Sequence, residues 1–294
     1  MKILITGGSG QVGFELQRVL SVFGECIAPT PDQLDLADQQ AVSTYLESLK
    51  PSMIVNAAAY TAVDKAESEP ELAERLNAKL PEQLASYCAK HDIWLIHYST
   101  DYVYDGSGEE ARPEDHPTAP LSIYGASKLR GDQAIARSGT AYYIFRTSWV
   151  YGARGNNFVK TMLRLGREKA SLNIVNDQIG APTSARLIAQ VTAQALAQRA
   201  NDKVGVYHLT TSGSCSWQQF AQEIFTQAEQ LKIPLSITPG AVEGIPTSSY
   251  PTPAQRPLNS RLKLEKIEKA FQLTLPDWKS QLRLVMAEIR ECQG

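Results

Sequence analysis

Residues 6–13 read Thr6-Gly7-Gly8-Ser9-Gly10-Gln11-Val12-Gly13, directly after the apolar run Lys2–Thr6 and at the start of an amphipathic stretch, Val12–Val22. Two glycine spacings coexist there, Gly7-x-x-Gly10-x-x-Gly13 and Gly8-x-Gly10-x-x-Gly13. Glycines so placed permit a tight strand-to-helix turn, close approach of backbone to a pyrophosphate, and close packing of helix on strand. The helix that follows offers free N–H groups and its positive dipole end to phosphates. A glycine loop alone is equally compatible with an ordinary strand–helix turn. Its position at the first such junction of a repeating pattern predicts a dinucleotide site on Gly7, Gly10, Gln11, Val12 and Gly13.

That pattern extends outward from the loop. Short β-branched runs (Lys2–Thr6, Glu25–Ala28, Met53–Ala57, Ile93–Tyr98, Ala141–Arg146) alternate with helical periodicities over Val12–Val22, Asp38–Leu49, Glu71–Lys90 and Ser122–Arg137. Strands alternating with helices predict right-handed βαβ units and a parallel sheet. The runs within Lys2–Thr6, Met53–Ala57 and Ala141–Arg146 (ILIT, MIVNA and YYIFR) are apolar without alternation, as strands covered on both faces are. Pro81 is expected to kink or restart the helix of Glu71–Lys90, because it lacks the N–H that the helix needs. The expected fold is α/β: a doubly wound parallel sheet (Rossmann) with a smaller C-terminal α/β substrate domain. Residues 1–149 plus about 181–211 are assigned to the first unit, about 150–180 plus 212–294 to the second. Proline, serine and threonine accumulate over Pro234–Asn259, which reads as loop-rich and substrate-facing.

Composition removes several classes of function. The chain has 294 residues, 43% of them hydrophobic, and its 29 Lys+Arg against 31 Asp+Glu leave a net charge of −2. Without a basic excess there is no electrostatic case for nucleic acid or an anionic membrane as main partner. No apolar run approaches the roughly 20 residues of a spanning helix, and the N-terminus lacks a signal-peptide core. The four cysteines (Cys26, Cys88, Cys215, Cys292) are scattered, matching neither a disulfide framework nor a zinc site. A cytoplasmic location with reduced thiols is expected.

Tyr124 and Lys128 stand four residues apart at the start of the Ser122–Arg137 periodicity, so phenol and ammonium share one helix face. A nearby ammonium favours phenolate and is expected to lower the tyrosine pKa. The fourth strand ends Tyr98-Ser99-Thr100-Asp101 at the carboxyl edge, where a doubly wound sheet opens its ligand crevice. Ser99 and Thr100 read either as hydroxyl donors to a carbonyl or as a polar strand end capped by Asp101. Together Thr100, Tyr124 and Lys128 complete a set for carbonyl reduction: a hydroxyl to orient the oxygen, a phenol to supply the proton, an ammonium to tune the phenol and hold a ribose. After strand two, Asp32 is a candidate for a ribose hydroxyl or a solvated turn residue. No arginine stands there for a 2′-phosphate, so NADH and NADPH both remain open.

These residues resemble the extended short-chain dehydrogenase/reductase family. The resemblance rests on Thr6-Gly-x-x-Gly-x-x-Gly13, Asp35-x-x-Asp38, Asn56-Ala-Ala-Ala, Ser99-Thr100-Asp101 and Tyr124-x-x-x-Lys128, and on longer segments such as Arg146-Thr-Ser-Trp-Val-Tyr-Gly, Asp177-Gln-x-Gly-x-Pro-Thr183 and Arg256-Pro-Leu-Asn-Ser-Arg-Leu. It implies NAD(P)H-dependent reduction of the 4-keto group of a dTDP-linked 6-deoxy sugar. Tyr124 is then the proton donor, Lys128 its partner and Thr100 the tuning hydroxyl. Cofactor contacts fall on Gly10, Gln11, Val12, Asp35, Leu36, Ala58, Ala59, Tyr60, Thr61 and Tyr98, and substrate contacts on Thr100, Asp101 and Trp149. Trp149 offers a sugar an apolar face and one N–H, or is a half-buried aromatic at a strand end. Arg256 suits a diphosphate by its planar fork, or makes a surface ion pair.

Some family members are dimers bridged by magnesium through glutamates, which would match Glu15, Glu288 and Glu291 here. Arg186 stands where a further glutamate is expected, and a cation there opposes Mg2+, leaving monomer or homodimer open. Dehydratases of the family carry Asp-Glu after the threonine, whereas Tyr102 follows Asp101 here, so elimination lacks its base. An epimerase, another nucleotide-sugar reductase, and a non-catalytic dinucleotide-binding regulatory subunit are the alternatives.

Overall fold

The β-branched runs become five parallel strands: β1 (Lys2–Thr6), β2 (Glu25–Ile27), β3 (Met53–Asn56), β4 (Trp94–Thr100) and β5 (Tyr142–Thr147). The computed structural model describes residues 1–292. A sixth strand, Gly205–His208, extends the sheet beyond β5, giving the spatial order β2, β1, β3, β4, β5, Gly205–His208, with all neighbours parallel. The chain leaves β1 for the edge at β2 and returns on the other side at β3. That reversal opens a crevice beyond the carboxyl ends of β1 and β3.

Burial follows the pleat. Ile3 and Ile5 enter a core with Leu16, Leu20, Ile96 and Ile188, whereas Leu4, between them, faces a second core with Val42, Leu46, Leu84 and Leu95. Both faces of the sheet are therefore covered, which explains the unbroken apolar runs. β4 continues two residues beyond the expected Tyr98 because Ser99 and Thr100 still pair with Arg146 and Thr147 of β5. The Ser99 hydroxyl donates to Asp132 at 2.9 Å, which makes a buried polar strand end tolerable.

The helices begin close to their sequence signals. Asp38 caps Gln39–Leu49 by accepting from the Ala41 N–H at 3.0 Å, and Ser122 caps Ile123–Arg137 by accepting from Gly125 at 3.2 Å. The Glu71–Lys90 periodicity is divided as Pro81 requires: Pro70–Glu74 leads into a wide π turn, Arg75–Lys79, and the helix restarts over Leu80–His91. Proline has no N–H to offer the Asn77 carbonyl. That oxygen abuts Gly131 of the neighbouring helix, where a Cβ would lie 2.2 Å from it.

The second half of the chain alternates between two cores. Ala185–Ala197 and Gly205–His208 return to the main sheet, and Ile267, Phe271 and Leu275 also pack into its first core. Phe158–Glu168, Trp217–Gln230 and Trp278–Glu291 enclose a separate core with Val159, Phe220, Ile224, Leu282 and Met286. Two-stranded pairs edge that unit, among them Leu172–Val175 with Val242–Ile245 and Ile179–Gly180 with Cys215–Ser216. The stretch expected to be loop-rich thus supplies the strand Val242–Ile245.

Candidate active site

The glycine loop forms the turn its spacing predicts. Gly7 adopts φ +69°, and a Cβ on it would lie 2.7 Å from the Ala57 backbone, so only glycine fits between β1 and β3. A Cβ on Gly13 would lie 2.1 Å from the Gly7 carbonyl. Gly10 closes the turn by donating to that carbonyl at 2.9 Å. Helix α1 (Gln11–Leu20) then starts with no side-chain cap, leaving its first N–H groups free for an anion.

Those groups face a cavity of about 840 Å³, within the range of sites for nucleotide-sized ligands. One end is apolar, lined by Pro29, Leu34, Leu36, Leu72 and Leu76, and suits an adenine; Asp35 lies beside it, its carboxylate accepting from Ala37 N–H at 2.8 Å. Asp32 is exposed and outside the cavity, matching its reading as a solvated turn residue. Among the described residues no arginine lines this space.

Ala58, Ala59 and Thr61 line the same wall. Their loop is fastened by Asn77, whose side chain accepts from Tyr60 N–H at 2.8 Å and donates to Tyr60 O at 3.1 Å. The Tyr60 phenol points elsewhere, donating to Glu69, which pushes its pKa up to about 12. Tyr60 therefore serves this wall through its backbone.

Thr100, Tyr124 and Lys128 all open onto the cavity. Lys128 is 1% exposed, and its ammonium donates to the Tyr98 carbonyl at 2.6 Å and to His97 Nε2 at 3.1 Å. Burial lowers its pKa to about 8, with the Asp132 carboxylate opposing. Tyr124 differs from the expectation of a lowered pKa: burial raises it, and the Thr100 hydroxyl is the chief group pulling it back. The neighbouring Asp101 and Asp132 carboxylates push in the same direction as burial. A phenol that stays protonated is the state a proton donor needs.

Asp101 is buried beneath the Thr100 hydroxyl, which donates to it at 3.1 Å; burial raises its carboxyl to about 6, while Ser260 and Thr100 pull downward. Tyr102 packs edge-on against Tyr124, with centroids 5.5 Å apart. Trp149 lines the cavity in a left-handed conformation, φ +48°, with the Cα of Gly180 so close that a Cβ would fall 2.7 Å from the indole. Its ring lies flat on Trp217, a residue that sequence reasoning missed. Only the capping signature Ser216–Gln219 marks that position, and it announces a helix start rather than a site.

Arg256 donates to Asp64 at 2.7 Å and does not line the cavity. No residue of 234–259 does, because this stretch is tied to the strand Leu172–Val175 and to Asp64. Outside the cavity lining, the Arg186 guanidinium lies 3.3 Å from Glu15 and 2.9 Å from Glu288. It occupies the position a divalent ion would need, so this carboxylate set does not fit Mg2+; Glu291 is exposed at the end of its helix.

A Rossmann sheet, an uncapped helix N-terminus and a Tyr–Lys pair facing one crevice define a dinucleotide-dependent protein of the short-chain dehydrogenase/reductase type. The chain belongs to the RmlD substrate binding domain family, which it matches over residues 1–291. It is 46% identical to a dTDP-4-dehydrorhamnose reductase of Escherichia coli (strain K12) over 98% of each chain, and 43% identical to one of Burkholderia thailandensis over 98% of this chain and 99% of that one. A dTDP-4-dehydrorhamnose reductase structure from Clostridium acetobutylicum superposes with a TM-score of 0.91 at 36% identity, covering 99% of this chain and 100% of that one. One from Bacillus anthracis, in complex with NADP, gives 0.89 at 35%, covering 98% and 99%.

Proposed function

We propose that the protein is an NAD(P)H-dependent oxidoreductase that reduces the 4-keto group of dTDP-4-dehydro-L-rhamnose, giving dTDP-L-rhamnose in a cytoplasmic route to cell-surface polysaccharide. The observation that carries this reading is the opening of Thr100, Tyr124 and Lys128 onto the cavity that the uncapped α1 N-terminus faces. The substrate follows from the names of the relatives.

The free N–H groups of α1 hold the cofactor diphosphate, the Leu34–Leu36 wall its adenine, and Lys128 its nicotinamide ribose. NADH or NADPH, when bound, supplies a hydride to the carbonyl carbon. As the carbonyl electron pair moves onto oxygen, Tyr124 delivers its phenolic proton there. Thr100 orients that oxygen and then, with Lys128, stabilises the phenolate left behind. Asp101 and Trp149 hold the sugar. Residues 1–149 with about 181–211 form the nucleotide-binding unit, to which the segment around Ile267–Leu275 is added by its packing.

The test follows the near-ultraviolet absorbance of NADH and of NADPH with the 4-keto sugar nucleotide supplied. Sugar-dependent oxidation is expected. Its absence from folded protein, with a tightly held cofactor released on denaturation, would instead indicate an epimerase.

A further inference from the structure

His97 lies behind the reacting groups and has no part in the steps above. It stands on β4 with 0% exposure. Its two ring nitrogens connect Lys128 to the interior of the sheet. Nε2 lies 3.1 Å from the Lys128 ammonium, and Nδ1 lies 3.0 Å from the side-chain amide of Asn56 on β3. The same amide lies 2.6 Å from the hydroxyl of Thr6 on β1. Asn56 is 0% exposed and Thr6 1%. A line of buried polar groups thus crosses three neighbouring strands and ends on the amine.

An ammonium can only donate, so His97 Nε2 must accept, and the ring proton must sit on Nδ1. As it stands, the Asn56 amide accepts from the Thr6 hydroxyl through Oδ1 and turns Nδ2 toward His97 Nδ1. An Nδ1–H ring requires the amide turned over, its oxygen meeting the ring proton and its NH2 facing Thr6, an exchange that the similar size of amide oxygen and nitrogen permits. Burial and the neighbouring ammonium hold His97 neutral, well below the ordinary range for histidine. Of the three Lys128 N–H groups, one goes to Tyr98 O and one to His97. The third is left for the cavity.

We infer that His97 is a positioning residue for the reduction: held as the Nδ1–H tautomer by Asn56 and Thr6, it fixes the Lys128 ammonium so that one N–H points at the reacting end of the cavity. This rests on the assignment of Tyr124 and Lys128 given above. The other groups around the pair are Asp132 and Tyr124 on the helix of Lys128, Arg146 on β5, which pairs with Asp132 at 3.1 Å, and Tyr98 and Asp101 at the end of β4. Asp132 Oδ1 lies 4.0 Å from His97 Nε2, beyond hydrogen-bond reach.

Two near-isosteric substitutions divide the line at the ring. In His97→Gln the side-chain oxygen falls near the former Nε2 and still accepts from Lys128. In His97→Asn the polar atoms fall near the former Nδ1, keep Asn56 and abandon Lys128. The expected result is a kcat loss of about tenfold in His97→Asn, with its alkaline limb moved down by about one pH unit, because the ammonium has lost an acceptor that favours the charged form. His97→Gln should keep the wild-type limb. Equal behaviour of the two variants, or an unmoved limb in both, overturns the inference.

Should either fail to fold, side-chain ¹⁵N correlations in the unsubstituted protein decide. The chain has four histidines, and His97 must show a neutral ring protonated at Nδ1. A ring protonated at Nε2 overturns the inference. Tyr124→Phe run alongside separates the two readings. Normal turnover in that variant overturns the acid assignment and leaves the tautomer to decide His97. A dead Tyr124→Phe with equal His97 variants overturns His97 alone.

Discussion

Trp149 lies on Trp217 with ring centroids 3.6 Å apart and planes inclined by 13°. The first belongs to the segment leaving β5, the second to the first turn of the helix Trp217–Gln230, so one stacked pair joins the main sheet to the smaller core. Trp217 is held by donating to Gln178 at 3.2 Å, and Gly180 crowds the Trp149 indole. A non-glycine residue at φ +48° costs energy that its surroundings must offset.

Removing the platform should affect sugar binding more than cofactor binding. Trp217→Ala is expected to raise KM for the sugar nucleotide about three- to tenfold, since a stacked aromatic pair contributes about 0.5–1.5 kcal/mol beyond buried area. KM for NAD(P)H should stay unchanged. An exciton signal in circular dichroism should vanish with the stack; an unchanged sugar KM with the signal lost would remove Trp149 and Trp217 from the substrate site.

Tyr124→Phe deletes the hydroxyl proposed as proton donor and little else. Turnover should fall about 10²–10⁴-fold, while cofactor affinity measured by fluorescence quenching stays within a factor of about two. Turnover near that of the unsubstituted enzyme would show that another group supplies the proton.

Asp101 makes stability depend on pH. Its folded pKa of about 6 lies above the ordinary 3.8, so the folded chain binds more protons than the unfolded chain between those values. Stability is therefore greatest below about pH 4 in respect of this group and declines as pH rises through about 6, by on the order of 3 kcal/mol in total. Asp101→Asn carries no charge to bury. Its melting temperature should gain on the unsubstituted protein as pH rises from 4 to 7; a constant difference would place the carboxyl pKa near its ordinary value.

Arg186 between Glu15 and Glu288 predicts that metal removal has no effect. EDTA should leave turnover and melting temperature unchanged. Arg186→Met should lower stability by about 1 kcal/mol or less, because the guanidinium is 40% exposed and solvent screens the pairs. A melting temperature that rises with added Mg2+ in the unsubstituted protein would contradict this arrangement.

Much of the site was legible where function demands a residue type at a spacing. Gly7 and Gly13 stand where no Cβ fits, and Tyr124 and Lys128 share a helix face whatever the fold around them. Tyr60 and Arg256 show the opposite case. Their types suit a cofactor and a diphosphate, yet the phenol is taken by Glu69 and the guanidinium by Asp64, partners that spacing does not reveal.

The chain by itself determined the alternation of strands and helices, the turn after β1, the helix caps at Asp38 and Ser122, and the restart near Pro81, because each depends on local sterics and hydrogen bonding within a few residues. Tertiary structure decided the rest. His97 reaches Asn56 and Thr6 because β4, β3 and β1 lie side by side in parallel register, with Asn56 opposite both Thr6 and His97. Trp217 meets Trp149 from 68 positions along the chain through the packing of two cores. Whether Tyr124 holds its proton likewise depends on burial and on the Thr100 hydroxyl and the Asp101 and Asp132 carboxylates around it, quantities set by the assembled fold and absent from any local pattern.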